Sequence, residues 1–245
     1  MPTAPVALIT GSARRIGAVI ARTLHGAGYD LALHCRNSRG ELDALAAELE
    51  TTRPGSTLVL QADLAEFDRL PELIAQAVGH FGRLDALVNN ASGFEPTPIG
   101  STTPAQWDAL FASNARAPFF LAQAAAPHLQ ASGGSIVNLV DIYAERPLAQ
   151  HTVYCMAKAA LAMLTRSLAR ELGPAVRVNG VAPGPVLWPE AGAPYADRDA
   201  LVESTALKRT GEPADVAAAV LWLLRDARYT TGEIVRVDGG RALAF

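Results

Sequence analysis

The chain has 245 residues, half of them hydrophobic, a formal net charge of −3 and a pI near 6.0. This length fits one α/β domain with a sizeable core, and interspersed charges give neither a basic footprint for nucleic acid nor a single-sign tail. Apolar runs fall short of the ~20 residues that span a bilayer, residues 1–5 carry no charged leader, and Cys35 and Cys155 lack metal-ligand or disulfide spacing, so a cytoplasmic chain without a metal or membrane partner is expected.

Along the chain, 6–9 reads as a strand and 14–27 as a helix, 31–33 as a strand and 39–50 as a helix, 57–60 as a strand and 70–79 as a helix. Further strands are predicted at 84–88, 135–140, 176–181 and 234–237. Asp30 is expected to precede the second strand as a turn residue. Continuous apolar strands between helices predict a parallel sheet covered on both faces, doubly wound, of about seven strands, in one domain over 1–245. Residues 184–198 carry Pro185, Pro189, Pro194, Trp188 and Tyr195 with little periodicity. Lying after a strand's carboxyl end, this stretch is expected to form a substrate lid around 184–205; a plain surface loop is the alternative.

Thr10-Gly11-Ser12-Ala13-Arg14-Arg15-Ile16-Gly17 joins the first strand to the first helix. Gly11 permits a tight turn, Gly17 lets helix and sheet pack closely, and the helix N-terminus offers free N–H groups to a pyrophosphate. Arg15 takes the place of the middle glycine. An NAD site wants an acidic residue near the end of the second strand, yet this strand ends in His34-Cys35-Arg36-Asn37-Ser38. Arg36 suits a phosphate, Asn37 and Ser38 can donate hydrogen bonds, and Arg14 adds a second cation, so the cofactor inferred is NADPH; a merely solvated Arg36 is the alternative. Asp63 and Leu64, with Asn90 and Ala91, should line the adenine and ribose side, unless the asparagines are plain turn residues.

Tyr154 and Lys158 stand i and i+4 on one helix and share a face. A neighbouring ammonium stabilises a phenolate and makes tyrosine a better acid-base group near neutrality. Together with Thr10-Gly11…Gly17, Asn89-Asn90-Ala91, Asn114, and Val178-Asn179…Pro183-Gly184, the pair resembles the short-chain dehydrogenase/reductase family along nearly the full length. The resemblance implies a Rossmann-type NAD(P)(H) oxidoreductase and a homotetramer. It implies Tyr154 as proton donor, Lys158 on the nicotinamide ribose, and Asn114 supporting a relay water. Ile16, Pro183 and Gly184 are further expected cofactor contacts.

Two departures resemble the pteridine reductase branch: Asp141 at the usual serine position, and the Arg14-Arg15 loop. The run Asn89-Asn90-Ala91-Ser92-Gly93-Phe94-Glu95-Pro96-Thr97-Pro98 fits as well. In that branch a phenylalanine at the Phe94 position stacks on the pterin, and positions matching Ser92 and Arg14 contact pterin or cofactor phosphate. Pro185 is expected on the substrate side. Phe245 stands where the branch often ends in an arginine, which puts a contact to a neighbouring site in doubt. A pterin is flat and favours aromatic stacking, and reducing its C=N bond needs a proton at nitrogen. A buried Asp141 with a raised pKa could supply that proton; the alternative is that it only orients Tyr154, and for Phe94 that it only fills core. His34, His80, His128 and His151 are expected to be structural or exposed, and Cys155 to have no chemistry. The segments 119–126 and 157–164 are apolar nearly all round and require a second burial partner.

The expected function is therefore an NADPH-dependent pteridine reductase acting on dihydropterins, dihydrofolate or both. Alternatives are a general carbonyl or 3-oxoacyl-carrier reductase and a non-catalytic NADP(H)-binding regulator.

Overall fold

The computed structural model describes residues 4–186 and 198–243. Seven strands, β1 (Val6–Ile9), β2 (Asp30–Cys35), β3 (Thr57–Gln61), β4 (Ala86–Asn89), β5 (Ser135–Leu139), β6 (Arg177–Pro183) and β7 (Ile234–Val237), form one sheet in the order β3-β2-β1-β4-β5-β6-β7. Every pairing is parallel, so each crossover must return over a face of the sheet. The helices are α1 (Arg15–Gly26), α2 (Arg39–Thr52), α3 (Arg69–Phe81), α4 (Pro104–Phe111), α5 (Ala117–Ser132), α6 (Thr152–Leu172), α7 (Arg198–Glu203) and α8 (Pro213–Arg225). This is the Rossmann-type α/β fold that the strand and helix pattern predicts.

The period of two along the strands divides the core. Ala7, Ile9, Leu31, Leu33 and Val137 face one side with Ile20 and Leu24 of α1, Leu42 and Leu45 of α2, and Val216 and Val220 of α8. Val6, Leu8, Leu87 and Ile136 face the other with Leu70 and Ile74 of α3, Leu121 and Leu129 of α5, and Leu168 of α6. Each of these strand residues thus has an apolar helix to bury it, which is why β1 reads as an unbroken apolar run.

One sequence expectation needs correcting. Asp30 is the first residue of β2, not a turn residue before it: its N–H donates to Pro5 O at 2.8 Å, it pairs with Val6, and its carboxylate meets Arg53 at 3.1 Å. Helices α4 and α8 went unread, although each begins with a capping box, Thr103 with Gln106 and Glu212 with Asp215, followed by proline in the first turn. The lid expected around 184–205 ends in α7, but Trp188, Pro189, Pro194 and Tyr195, like Phe245, lie outside the described residues.

Candidate active site

The strand order reverses between β1 and β4, which opens a crevice beyond their carboxyl ends. The glycine loop closes one side of it. Gly11 has φ +65°, and a Cβ there would lie 2.9 Å from Ala91 Cα. A Cβ on Gly17 would overlap the Gly11 carbonyl oxygen and fall 2.6 Å from Asn90 Nδ2. Asn90 is more than a turn residue: its Nδ2 donates to Thr10 O and Gly11 O, each at 2.9 Å, while Thr10 Oγ1 accepts from the N–H of Asn90 and of Ala91 at 3.0 Å. Arg15, in the place of the middle glycine, takes the left-handed φ of +54° that glycine adopts without steric cost.

His34 holds the loop from below. Burial pushes its pKa down to about 4, so the ring is neutral; Nδ1 accepts from Gly11 N–H at 3.3 Å and Nε2 donates to Ala62 O at 3.1 Å. Arg14 is the N-cap of α1 and makes no side-chain cap bond, and a helix N-terminus is suited to an anion. A tight glycine loop locked to β4 at a helix N-terminus fits the pyrophosphate of a dinucleotide. Just past the end of β2, Arg36 and Asn37 are exposed, and Ser38 stands at the N-cap position of α2 without a side-chain cap bond. Asp63 Oδ1 accepts from Ala65 N–H. Leu64 packs its side chain into the core, so any ligand contact from it must come from its backbone.

A cavity of about 570 Å³ opens beside this loop. Arg14, Arg15, Ile16, Asn90, Ser92 and Phe94 line it from the first half of the chain. Leu139, Val140, Asp141, Tyr143, Tyr154, Lys158, residues 183–186, Leu201 and Thr210 line it from the second. Thus Arg14, Ile16, Ser92, Phe94, Asp141, Tyr154, Lys158, Pro183, Gly184 and Pro185, all expected from sequence, share one cavity. Gly11, Gly17, Arg36, Asn37, Ser38, Asp63, Leu64, Ala91 and Asn114 are not part of its lining.

At its floor the Tyr154 hydroxyl donates to Asp141 Oδ2 at 2.7 Å, and Tyr143 N–H donates to Asp141 Oδ1 at 2.9 Å. Burial raises the Asp141 pKa; the Tyr143 N–H, the Tyr154 hydroxyl and the Lys158 charge oppose it without cancelling it. Lys158, 2% exposed, donates to Leu139 O at 2.8 Å, and its Nζ lies 5.7 Å from the Tyr154 ring centroid. Burial lowers its pKa to about 8, against the opposing pull of Asp141. Two ionisable groups with oppositely shifted pKa values beside a tyrosine hydroxyl are an arrangement suited to acid-base chemistry.

Phe94 is 39% exposed, so it is not core filler. Its ring meets Tyr154 edge to face at 4.8 Å and stacks on His151 at 4.6 Å, 15° from parallel. Asn114 is fully buried at a π-helical turn between α4 and α5. Its Nδ2 donates to Gly93 O and Leu110 O, each at 2.9 Å, and its Oδ1 accepts from Ser92 Oγ at 2.7 Å. Its side chain therefore anchors the loop that carries Ser92 and Phe94. Sequence reasoning missed the contributions of Tyr143 and His151; Cys155, to which it assigned no chemistry, is buried, with Sγ accepting from Leu148 N–H at 3.3 Å. Among the described residues, no cluster of three or more His, Cys, Asp or Glu could hold a metal, and no helix is long and apolar enough to cross a membrane.

A glycine-loop dinucleotide fold with a Tyr-Lys pair at the sheet's carboxyl edge defines an oxidoreductase class, and comparison with known proteins agrees. A family model described as enoyl-(acyl carrier protein) reductase matches residues 11–242, and the chain belongs to the short-chain dehydrogenase/reductase family. Pteridine reductase 1 of Leishmania tarentolae is 37% identical, covering 99% of this chain and 98% of its own. A granaticin polyketide synthase putative ketoacyl reductase 2 of Streptomyces violaceoruber is 39% identical over 99% and 98%. L-xylulose reductase of Bos taurus is 38% identical over 96% and 95%. Identities this close to one another, under names with three different substrates, leave substrate choice to the site itself.

Proposed function

We propose that the protein is an NADPH-dependent pteridine reductase acting on dihydropterins, dihydrofolate or both. The observation that carries this reading is the Tyr154–Asp141 hydrogen bond at the floor of a cavity that Phe94 also lines. A carbonyl needs one proton donor, which a tyrosine alone provides; a C=N bond in a nitrogen-rich ring gains more from a donor backed by a carboxylic acid. Phe94 offers an aromatic surface for a flat ring, and Arg14 and Ser92 line the same cavity.

NADPH, when bound, supplies the hydride. The glycine loop and the α1 N-terminus would hold its pyrophosphate, and Arg36, with Asn37 and Ser38, its 2′-phosphate. Lys158 would hold the nicotinamide ribose and bias Tyr154 electrostatically. Tyr154 gives its proton to the substrate nitrogen and is resupplied by Asp141, whose protonated form burial favours. Asn114 keeps the Ser92–Phe94 loop in register. Exposed Phe119, Met156 and Met163 supply the apolar surface that a homotetramer would cover, and a monomeric mass in solution at micromolar concentration would contradict that assembly.

A ketoacyl reductase remains the competing reading, since such a relative is equally similar. A non-catalytic regulator would have no use for Tyr154, Lys158 and Asp141 in one acid-base cluster. NADPH oxidation with dihydrobiopterin, dihydromonapterin, dihydrofolate and an acetoacetyl thioester separates the three. Turnover of a dihydropterin or dihydrofolate is expected; turnover of the thioester alone would overturn the pteridine reading, and no turnover at all would favour the regulator.

A further inference from the structure

His151 has no place in the chemistry above, yet its ring touches the residue that should select the substrate. The imidazole lies nearly parallel to Phe94 with centroids 4.6 Å apart. Phe94 lines the cavity and His151 does not, so the imidazole backs the platform rather than entering the site. His151 is itself held firmly: it is the N-cap of α6, its N–H donates to Leu148 O at 3.2 Å, and its Nδ1 lies 2.9 Å from Ala149 O. A carbonyl can only accept, so Nδ1 carries the proton and the ring plane is fixed.

The two chain segments are also stitched together below the rings. Thr97, fully buried, pairs with His151 in an isolated bridge, donates its N–H to Gln150 O at 2.6 Å, and accepts at Oγ1 from Val153 N–H at 3.2 Å. The loop carrying Phe94 is thereby tied to the first turn of the helix carrying Tyr154. His151 and Tyr154, three residues apart on that turn, both meet Phe94.

We propose that His151 is a positioning residue for substrate specificity: by stacking behind Phe94 it fixes the tilt of that ring relative to the Tyr154 hydroxyl, and so favours flat ring substrates over flexible carbonyl compounds. This rests on the reading of Phe94 as the platform for a flat ring. Aromatic pairs of this kind contribute enough to change affinity by about three- to tenfold.

The test compares His151→Ala, His151→Asn and His151→Phe, with dihydrobiopterin and an acetoacetyl thioester as substrates. Asn can still donate to Ala149 O but has no ring; Phe restores the ring without the donor. His151→Ala should raise the dihydrobiopterin KM about three- to tenfold, with kcat and NADPH affinity within about twofold and any thioester kinetics unchanged. His151→Phe should restore the KM and His151→Asn should not. An unchanged KM in His151→Ala, or rescue by Asn and not by Phe, would overturn the proposal alone and leave the pteridine reading standing. Absence of pterin turnover in the unsubstituted enzyme would overturn that reading and this proposal with it.

Discussion

The Tyr154 hydroxyl donates to Asp141 Oδ2 at 2.7 Å, while Asp141 Oδ1 is occupied by the Tyr143 N–H. When the carboxyl is protonated, the N–H at Oδ1 leaves Oδ2 as the place for the proton. The Oδ2–H then points at the Tyr154 oxygen, and the phenol must turn its own O–H outward, toward the cavity. The same pair thus has two states, one with the phenol proton facing the protein and one with it facing the substrate. Burial, which disfavours the ionised carboxyl, shifts the balance to the second.

Tyr154→Phe should lower kcat by about a hundredfold or more and leave the NADPH Kd within about threefold, as read by steady-state kinetics and fluorescence titration. Asp141→Ser should lower kcat/KM for the pterin strongly with a similarly small effect on NADPH. The pH profile distinguishes a proton role from an orienting one. A carboxyl that must be protonated gives a rate that falls as pH rises through its pKa, and burial moves that fall above the usual carboxylate range. Asp141→Ser should lose this limb. If the limb persists in the variant, or pterin kinetics do not change, Asp141 is not in the proton path.

Tyr154 and Lys158 were legible in the sequence from their i, i+4 spacing, whereas Asp141 and Phe94 stood out only through the resemblance to the pteridine reductase branch. The seven strands were legible because both faces of a parallel sheet are covered, so that each strand reads as an apolar run. His151 was not, since its significance comes from Phe94, 57 positions away in the chain, and no periodicity reports a stacked pair across a loop. Asn114 was named from the family pattern, but that its side chain is wholly engaged with Ser92, Gly93 and Leu110 is a tertiary fact. Helices α4 and α8 had clear capping boxes, but α4 buries only Leu110 and α8 is apolar along nearly its whole length, so neither shows the contrast of polar and apolar faces that marks α1.

Gly17 and Gly26 lie at opposite ends of α1 and should respond oppositely to alanine. At Gly17 the new methyl would collide with the Gly11 carbonyl and Asn90 Nδ2, whereas at Gly26 a Cβ meets nothing within 4 Å. Gly17→Ala should destabilise by about 1–3 kcal/mol and weaken NADPH binding at least tenfold, because the displaced groups build the phosphate loop. Gly26→Ala should stabilise by about 0.5–1 kcal/mol with NADPH affinity intact. Urea melts and cofactor titrations check both; equal effects at the two sites would remove the steric account of the loop.

Lys158 makes the stability of the cofactor-free protein depend on pH with a defined sign. Its folded pKa of about 8 lies below the ordinary lysine value of 10.5. Between these values the unfolded chain holds more protons at this residue than the folded one, so stability rises with pH. Below about 8 the cost of charging a buried ammonium is fully present. Lys158→Met removes that titration, so the unsubstituted protein should gain on the variant as pH goes from 7 to 10. Denaturation of both at the two pH values measures this, and on an Asp141→Asn background, where the carboxyl no longer titrates, the sign should be the same. A difference that stays constant would show that Lys158 is not charged at a cost in the fold.

Arg36 should decide between the two nicotinamide dinucleotides. It is exposed at the end of β2, where Asp30 cannot substitute for an acidic ribose ligand because it lies at the opposite end of that strand, paired with Arg53. A charge-assisted contact from a guanidinium to a 2′-phosphate contributes about 1.5–3 kcal/mol, or roughly ten- to a hundredfold in affinity. Arg36→Asp removes that contact and supplies the carboxylate that a ribose 2′-hydroxyl prefers. The expected result is a fall of that size in kcat/KM for NADPH together with a gain for NADH, while Tyr154, Lys158 and Asp141, at the cavity floor, keep the pterin kcat near its original value when the cofactor is saturating. An NADPH preference that survives Arg36→Asp undiminished would mean that the phosphate is held elsewhere, with Arg14 the first residue to replace next.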